Sequence, residues 1–119
     1  MEKALEEEIY RLHAEVCKTL SNSKRLQILN FLRHGEMSVG ELASKLQLRE
    51  ANVSQHLSLM RKYGILESRR EGLNMYYRLA QPKVIEAFDI MREVLLDQLA
   101  KRAEIINQIQ QEGLKFSTP

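Results

Sequence analysis

The 119-residue chain is 44% hydrophobic with 18 basic against 16 acidic side chains, enough for one domain with a modest core and little to spare for an enzyme's second layer. A formal charge of +2 does not by itself mark a polyanion-binding protein, so the distribution of charge has to carry that argument. The single cysteine, Cys17, excludes an intrachain disulfide and a cysteine-rich metal knuckle and fits a reducing cytoplasm.

The opening EKALEEE lacks the basic and apolar run of a secretory signal, and no apolar stretch reaches membrane length. A cytoplasmic protein with no membrane partner is expected. From Lys3 to Leu20, Leu5, Ile9, Leu12, Val16 and Leu20 recur at helical steps, giving an amphipathic helix whose early glutamates suit the positive end of its dipole. Ser21, Asn22 and Ser23 offer caps for a second helix over Ser23 to Arg33, with Leu26, Ile28, Leu29 and Leu32 inward and His34-Gly35 closing it. Ser38 and Glu41 form an S-x-x-E capping box that starts a third helix ending near Leu46.

After the turn Gln47-Leu48-Arg49, a fourth helix is predicted from Glu50 to Tyr63, stopped by Gly64. Leu42, Ala43 and Leu46, then Val53, Leu57 and Met60, give this pair one apolar face. The opposite side of the fourth helix carries Asn52, Ser54, Gln55, His56, Ser58, Arg61 and Lys62, rich in donors and free of acids. A solvated face is the common fate of such a pattern. Here the turn before it and the basic hairpin after it favour DNA readout, with the amides of Asn52 and Gln55 suited to adenine edges. Ser54, Ser58, Arg61 and Lys62 suit phosphates or the helix flanks, and Arg49 stands at its start. Two roles stay open for His56, packing under the helix on the backbone or touching DNA.

Residues 65–80, ILESRREGLNMYYRLA, read as a hairpin reversing at Gly72, with Met75, Tyr77 and Leu79 alternating with Asn74, Tyr76 and Arg78. Its wet face and tip are assigned Arg69, Arg70, Asn74, Tyr76 and Arg78, a wing for a phosphate backbone or a minor groove. From Arg49 to Arg78 six bases meet three acids, whereas from Met1 to Leu20 five acids meet three bases, so positive charge gathers beside the reading helix.

Pro82 opens a last helix that no glycine or proline interrupts until about Gln111, roughly 43 Å at 1.5 Å per residue. Its stripe of Phe88, Met91, Leu95, Leu99 and Ile106 exceeds what a domain of this size covers alone, so the first and last helices are expected to form a dimer seam through Leu5, Ile9, Leu12, Val16 and these residues. The fold class is therefore mainly α with a β-hairpin wing, a winged helix-turn-helix in the order α-α-α-α-β-β-α, one domain over residues 1–112 with a flexible tail at 113–119.

Several segments resemble the ArsR/SmtB family of small dimeric winged-helix transcriptional repressors. KTLSNSKRLQILNFL is similar to its second-helix motif, VSQHLSLMRKYGIL to its recognition helix, and SRREGLNMYYRL to its wing, together spanning most of Cys17 to Leu79. The resemblance implies operator binding as a homodimer, with double-stranded DNA as partner, and an effector that releases it; which effector is not assigned. Family members that sense metal carry an ELCVCDL-like motif in the third helix, where this chain has Glu41-Leu42-Ala43-Ser44-Lys45-Leu46. A second family metal site uses aspartate and histidine on the last helix, and no histidine occurs from Pro82 to Pro119. Neither site carries over, so no metal and no cofactor are expected.

His13 and Cys17, four residues apart, lie on one helical face, but two ligands do not make a metal site, and a lone buried cysteine beside an interface is the commoner case. Asp89, Glu93 and Asp97 read as a solvated face. No nucleophile, base and orienter form a catalytic set, so the protein is not expected to be an enzyme. A sequence-specific DNA-binding regulator, acting as a repressor, is the reading favoured over a winged-helix protein-interaction module and over a metal or redox sensor built on His13 and Cys17.

Overall fold

The computed structural model describes residues 2–113. Among the described residues, five helices and three strands follow in the order α1 (Glu2–Leu20), α2 (Ser23–Leu32), β1 (Met37–Ser38), α3 (Val39–Leu46), α4 (Glu50–Lys62), β2 (Leu66–Glu71), β3 (Asn74–Leu79) and α5 (Lys83–Gln111). The expected tail lies, apart from Gly113, outside the described residues. The chain divides into two compact units, Met1–Ile85 and Glu86–Pro119.

Local chemistry sets the helix ends of the first unit. Asn22 caps α2, its Oδ1 accepting from the amides of Lys24 and Arg25 at 2.9 and 3.2 Å. Ser38 caps α3 in a closed capping box: its hydroxyl accepts from the Glu41 amide, and the Glu41 carboxylate accepts from the Ser38 amide, both at 3.1 Å. Each satisfied end amide is worth roughly 1 kcal/mol over an alanine cap. The turn into α4 places Gln47 at φ 56, a left-handed conformation without glycine, and its amide donates back to Ser44. Past α4, Gly64 takes φ +75 and Ile65 donates its amide to the Met60 carbonyl, closing the helix and aiming the chain into β2.

The core of this unit is built by Ile28, Leu29 and Leu32 of α2, Leu42, Ala43 and Leu46 of α3, Val53, Leu57 and Met60 of α4, and Ile65, Leu66 and Tyr77. Leu26, expected inward, is exposed, because the buried side of α2 follows Ile28, Leu29 and Leu32, and Leu26 lies off that line. The sheet adds an element the sequence reading lacks. β1 pairs antiparallel with β3 (Met37 with Tyr77, Ser38 with Tyr76), while β2 pairs with β3 from Leu66 opposite Leu79 to Glu71 opposite Asn74. The strand order is β1-β3-β2. Two residues carry no periodicity, so β1 is invisible beside the capping box that follows it.

The hairpin turns on two residues, Gly72 and Leu73. Only Gly72 has positive φ (61°), the pattern of a type II′ reversal whose twist matches the strands. The second unit consists of α5 from Glu86 onward, and α5 has no buried residue along its length. Met91 is 69% exposed, with Leu95, Leu99 and Ile106 also open to solvent, while Phe88 is half-buried under the Arg92 guanidinium. In α1, Leu5 (62%), Ile9 and Leu12 are exposed as well, and Val16 is half-buried. Cys17, expected to be buried, is exposed in the single chain because the inward side of α1 at its end is taken by Thr19.

Candidate nucleic-acid interface

α4 is held from behind and open in front. Val53, Leu57 and Met60 are fully buried, and successive turns of 3.6 residues bring Asn52, Gln55, Ser58 and Lys62 to the outer side, all exposed. Ser54, Gln55, Ser58, Leu59 and Lys62 line an open depression of about 410 Å³ on this side. Lys62 leans over Tyr63, and Arg61 donates to the Ser68 hydroxyl at 3.1 Å, tying the end of α4 to the first strand of the wing. Arg49 stands exposed at the N-cap without a side-chain cap bond, and Glu50 is the one acid in the first turn. This surface presents amides, hydroxyls and cations together, the donor and acceptor repertoire that base edges and phosphates match.

His56 packs under the helix, one of the two roles left open for it, but its bond is to a side chain and not to the backbone. It is half-buried, and its Nδ1 accepts from Arg25 Nε at 3.0 Å, while Arg25 Nη1 donates to the Thr19 carbonyl at 3.0 Å. One guanidinium thus joins the end of α1, α2 and the middle of α4. An accepting Nδ1 places the proton of the neutral ring on Nε2. Burial, followed by the nearby Arg25 charge, pushes the His56 pKa below its ordinary value. Arg25 escapes the sequence reading because its partner lies 31 residues away and nothing local marks the pair.

The wing is less basic than its composition implies. Arg69 Nε donates to both carboxylate oxygens of Glu36 at 3.1 and 3.0 Å, its Nη1 donates to Glu71 at 2.8 Å, and its guanidinium lies 4.7 Å from the Tyr76 ring centre. Hydrogen bonding to Arg69 holds the Glu36 carboxyl below the usual carboxylate range, and the same carboxylates raise the Arg69 pKa. Arg78 Nε donates to Glu67 at 3.0 Å. Tyr76, expected on the wet face, is half-buried under Arg69 instead. Arg70 and Asn74 are exposed, and among the described residues Arg70 makes no side-chain hydrogen bond or ion pair. Glu36 is a second residue that the sequence does not single out, since it sits 33 positions from Arg69 in a loop with no motif.

Comparison with known proteins agrees with this geometry. Residues 22–68 match the family model described as bacterial regulatory protein, arsR family. The uncharacterized HTH-type transcriptional regulator Rv0081 of Mycobacterium tuberculosis is 36% identical over 108 residues, 90% of this chain and 95% of that one. Its crystal structure superposes with a TM-score of 0.73 at 38% identity, covering 80% of this chain and 96% of that one. The biofilm growth-associated repressor of Agrobacterium fabrum is 40% identical over 78 residues, 66% of this chain and 67% of that one. The solution structure of a homodimeric winged helix-turn-helix DNA-binding domain from Mycobacterium bovis, described as a possible ArsR-family transcriptional regulator, matches with a TM-score of 0.73 at 33% identity, over 79% of this chain and 87% of that one.

Proposed function

The chain belongs to the arsR family of bacterial regulatory proteins, and from that membership we propose that it represses transcription as a homodimer seated on a pseudo-palindromic operator. It is a winged helix-turn-helix, sequence-specific DNA-binding transcriptional regulator. The observation that carries the finer reading is α4 itself, packed on the core through Val53, Leu57 and Met60 and open through Asn52, Gln55, Ser58 and Lys62. In the proposed complex Asn52 and Gln55 read base edges in the major groove, while Arg49, Ser54, Ser58, Arg61 and Lys62 fix the register on phosphates. His56 positions α4 through Arg25 and contributes no base contact. Arg70 is the wing's phosphate anchor, with Arg69, Tyr76 and Arg78 shaping the hairpin and Asn74 at its edge.

The dimer brings two α4 helices about 34 Å apart, one turn of B-DNA, so that each enters a successive major groove. Support comes from the exposed apolar residues of α1 (Leu5, Ile9, Leu12) and of α5 (Met91, Leu95, Leu99, Ile106), and from the homodimeric state of the Mycobacterium bovis relative. Among the described residues no helix is long and apolar enough to cross a membrane. The relatives are regulators and not enzymes, and no catalytic role is assigned to this chain.

Selection of genomic fragments by the purified protein, followed by gel shift at stated salt with competitor DNA, tests the reading. A retained fragment with two half-sites about ten base pairs apart, bound by a species that sediments as a dimer, is the expected result. A monomer in analytical ultracentrifugation, or equal affinity for all fragments, overturns it.

A further inference from the structure

The wing ends on an apolar side chain. Leu73 is 99% exposed, the second residue of the two-residue turn between Glu71 and Asn74. Its neighbours explain why this is more than a stray surface leucine. The three arginines of the hairpin, Arg69, Arg70 and Arg78, are matched by three carboxylates, Glu36, Glu67 and Glu71, and two of those arginines are held by them. A hairpin so neutralised has little net charge with which to follow a phosphate backbone. Its base is pinned by β1 at Tyr76 and Tyr77 and by the Arg69–Glu36 tie to the loop after α2. What it offers outward is Leu73, followed by the exposed Asn74, with the uncommitted Arg70 three positions earlier in β2.

We propose that Leu73 is a minor-groove wedge that makes this regulator prefer A·T pairs where the wing meets the duplex. The proposal rests on the reading of α4 as the major-groove element and adds the determinant of a second set of base pairs. In the minor groove, A·T and T·A pairs present only acceptors, whereas a G·C pair adds the guanine 2-amino donor. A leucine cannot accept that hydrogen bond, and its approach strips water from the amino group without replacing it, so G·C is penalised. Apolar side chains that enter the minor groove also part the base step they touch. Arg70, one position before the turn's first flank, reaches the adjacent phosphate and holds the tip in the groove.

The test uses the full chain and an operator fragment selected by it, with the wing-contacted pairs changed from A·T to G·C or to inosine·cytosine. Inosine·cytosine presents the minor-groove face of A·T but a major groove like that of G·C. For the wild type we expect G·C to weaken binding about tenfold and inosine·cytosine to leave it nearly unchanged. Leu73→Ala is expected to bind the A·T fragment about fivefold to tenfold less well and to lose the discrimination, while Leu73→Met keeps both. Arg70→Ala weakens all three fragments alike. The proposal is overturned if inosine·cytosine weakens binding as G·C does, if Leu73→Ala still discriminates, or if Leu73→Ala changes the sedimenting species, which makes Leu73 a contact between proteins. A wild type that selects no fragment removes the reading of function itself, and this proposal with it.

Discussion

α4 and the wing carry similar residue types, yet they differ in what is free to bind. On α4 the polar side chains point away from a buried apolar row and are spoken for by little within the protein. On the wing, Arg69 and Arg78 are engaged by Glu36, Glu71 and Glu67, and the uncommitted groups are Arg70, Leu73 and Asn74. A count of basic residues therefore overstates the wing and understates the helix. Availability, set by partners distant in sequence, decides which charges can meet a phosphate.

That contrast can be broken most severely from behind. Leu57 is fully buried on the inner side of α4, and Leu57→Ala is expected to cost about 2–5 kcal/mol of stability in urea denaturation, taking α4 and the wing down together. Asn52→Ala and Gln55→Ala are expected to weaken operator binding by about 1–3 kcal/mol each while leaving non-specific binding unchanged, as read by competition gel shift. If both affinities fall together, α4 is gripping phosphates and the contrast with the wing dissolves. Arg70→Ala should make the slope of log K against log salt shallower by about 0.9 for each phosphate it no longer neutralises. Arg69→Ala should change it less, because Arg69 must first leave Glu36, and Glu36→Gln should steepen it by freeing a cation. Equal slopes for the two arginine variants would show that the carboxylates do not shield Arg69.

The smallest effect expected concerns His56, whose folded-state pKa lies below the ordinary value of about 6.5. Below that pH the unfolded chain binds more protons than the folded one, so stability falls as pH drops from about 6.5 through the folded-state pKa and is fully present above. Thermal melts from about pH 5 to 8 should show this step, and His56→Gln, which keeps an acceptor for Arg25, should remove it. An unchanged profile in the variant would assign the step to another group.

Much of the frame is legible in the sequence because it is local. The Ser38–Glu41 capping box, the Val53–Leu57–Met60 row and the reversal at Gly72 are written within a few residues of where they act. The candidate site is legible only in part. The sequence points to Arg69 and His56 as residues of this region, but their state depends on Glu36 and Arg25, 33 and 31 positions away, and no periodicity records such a pairing. Gln47 shows the opposite limit, since its left-handed backbone occurs at a residue whose identity does not announce it. Leu73 escapes notice when the wing is read for charge alone.

The strand order β1-β3-β2 leaves β2 with one side unpaired. An open strand edge is a template on which another chain can add, the first step toward ordered aggregates. The sequence of β2 is LESRRE, and four of its six residues are charged. A strand approaching that edge would have to desolvate Glu67, Arg69, Arg70 and Glu71. The same carboxylates that quiet the wing's arginines thus act as gatekeepers for colloidal stability, keeping concentrated solutions of the protein from associating edge to edge.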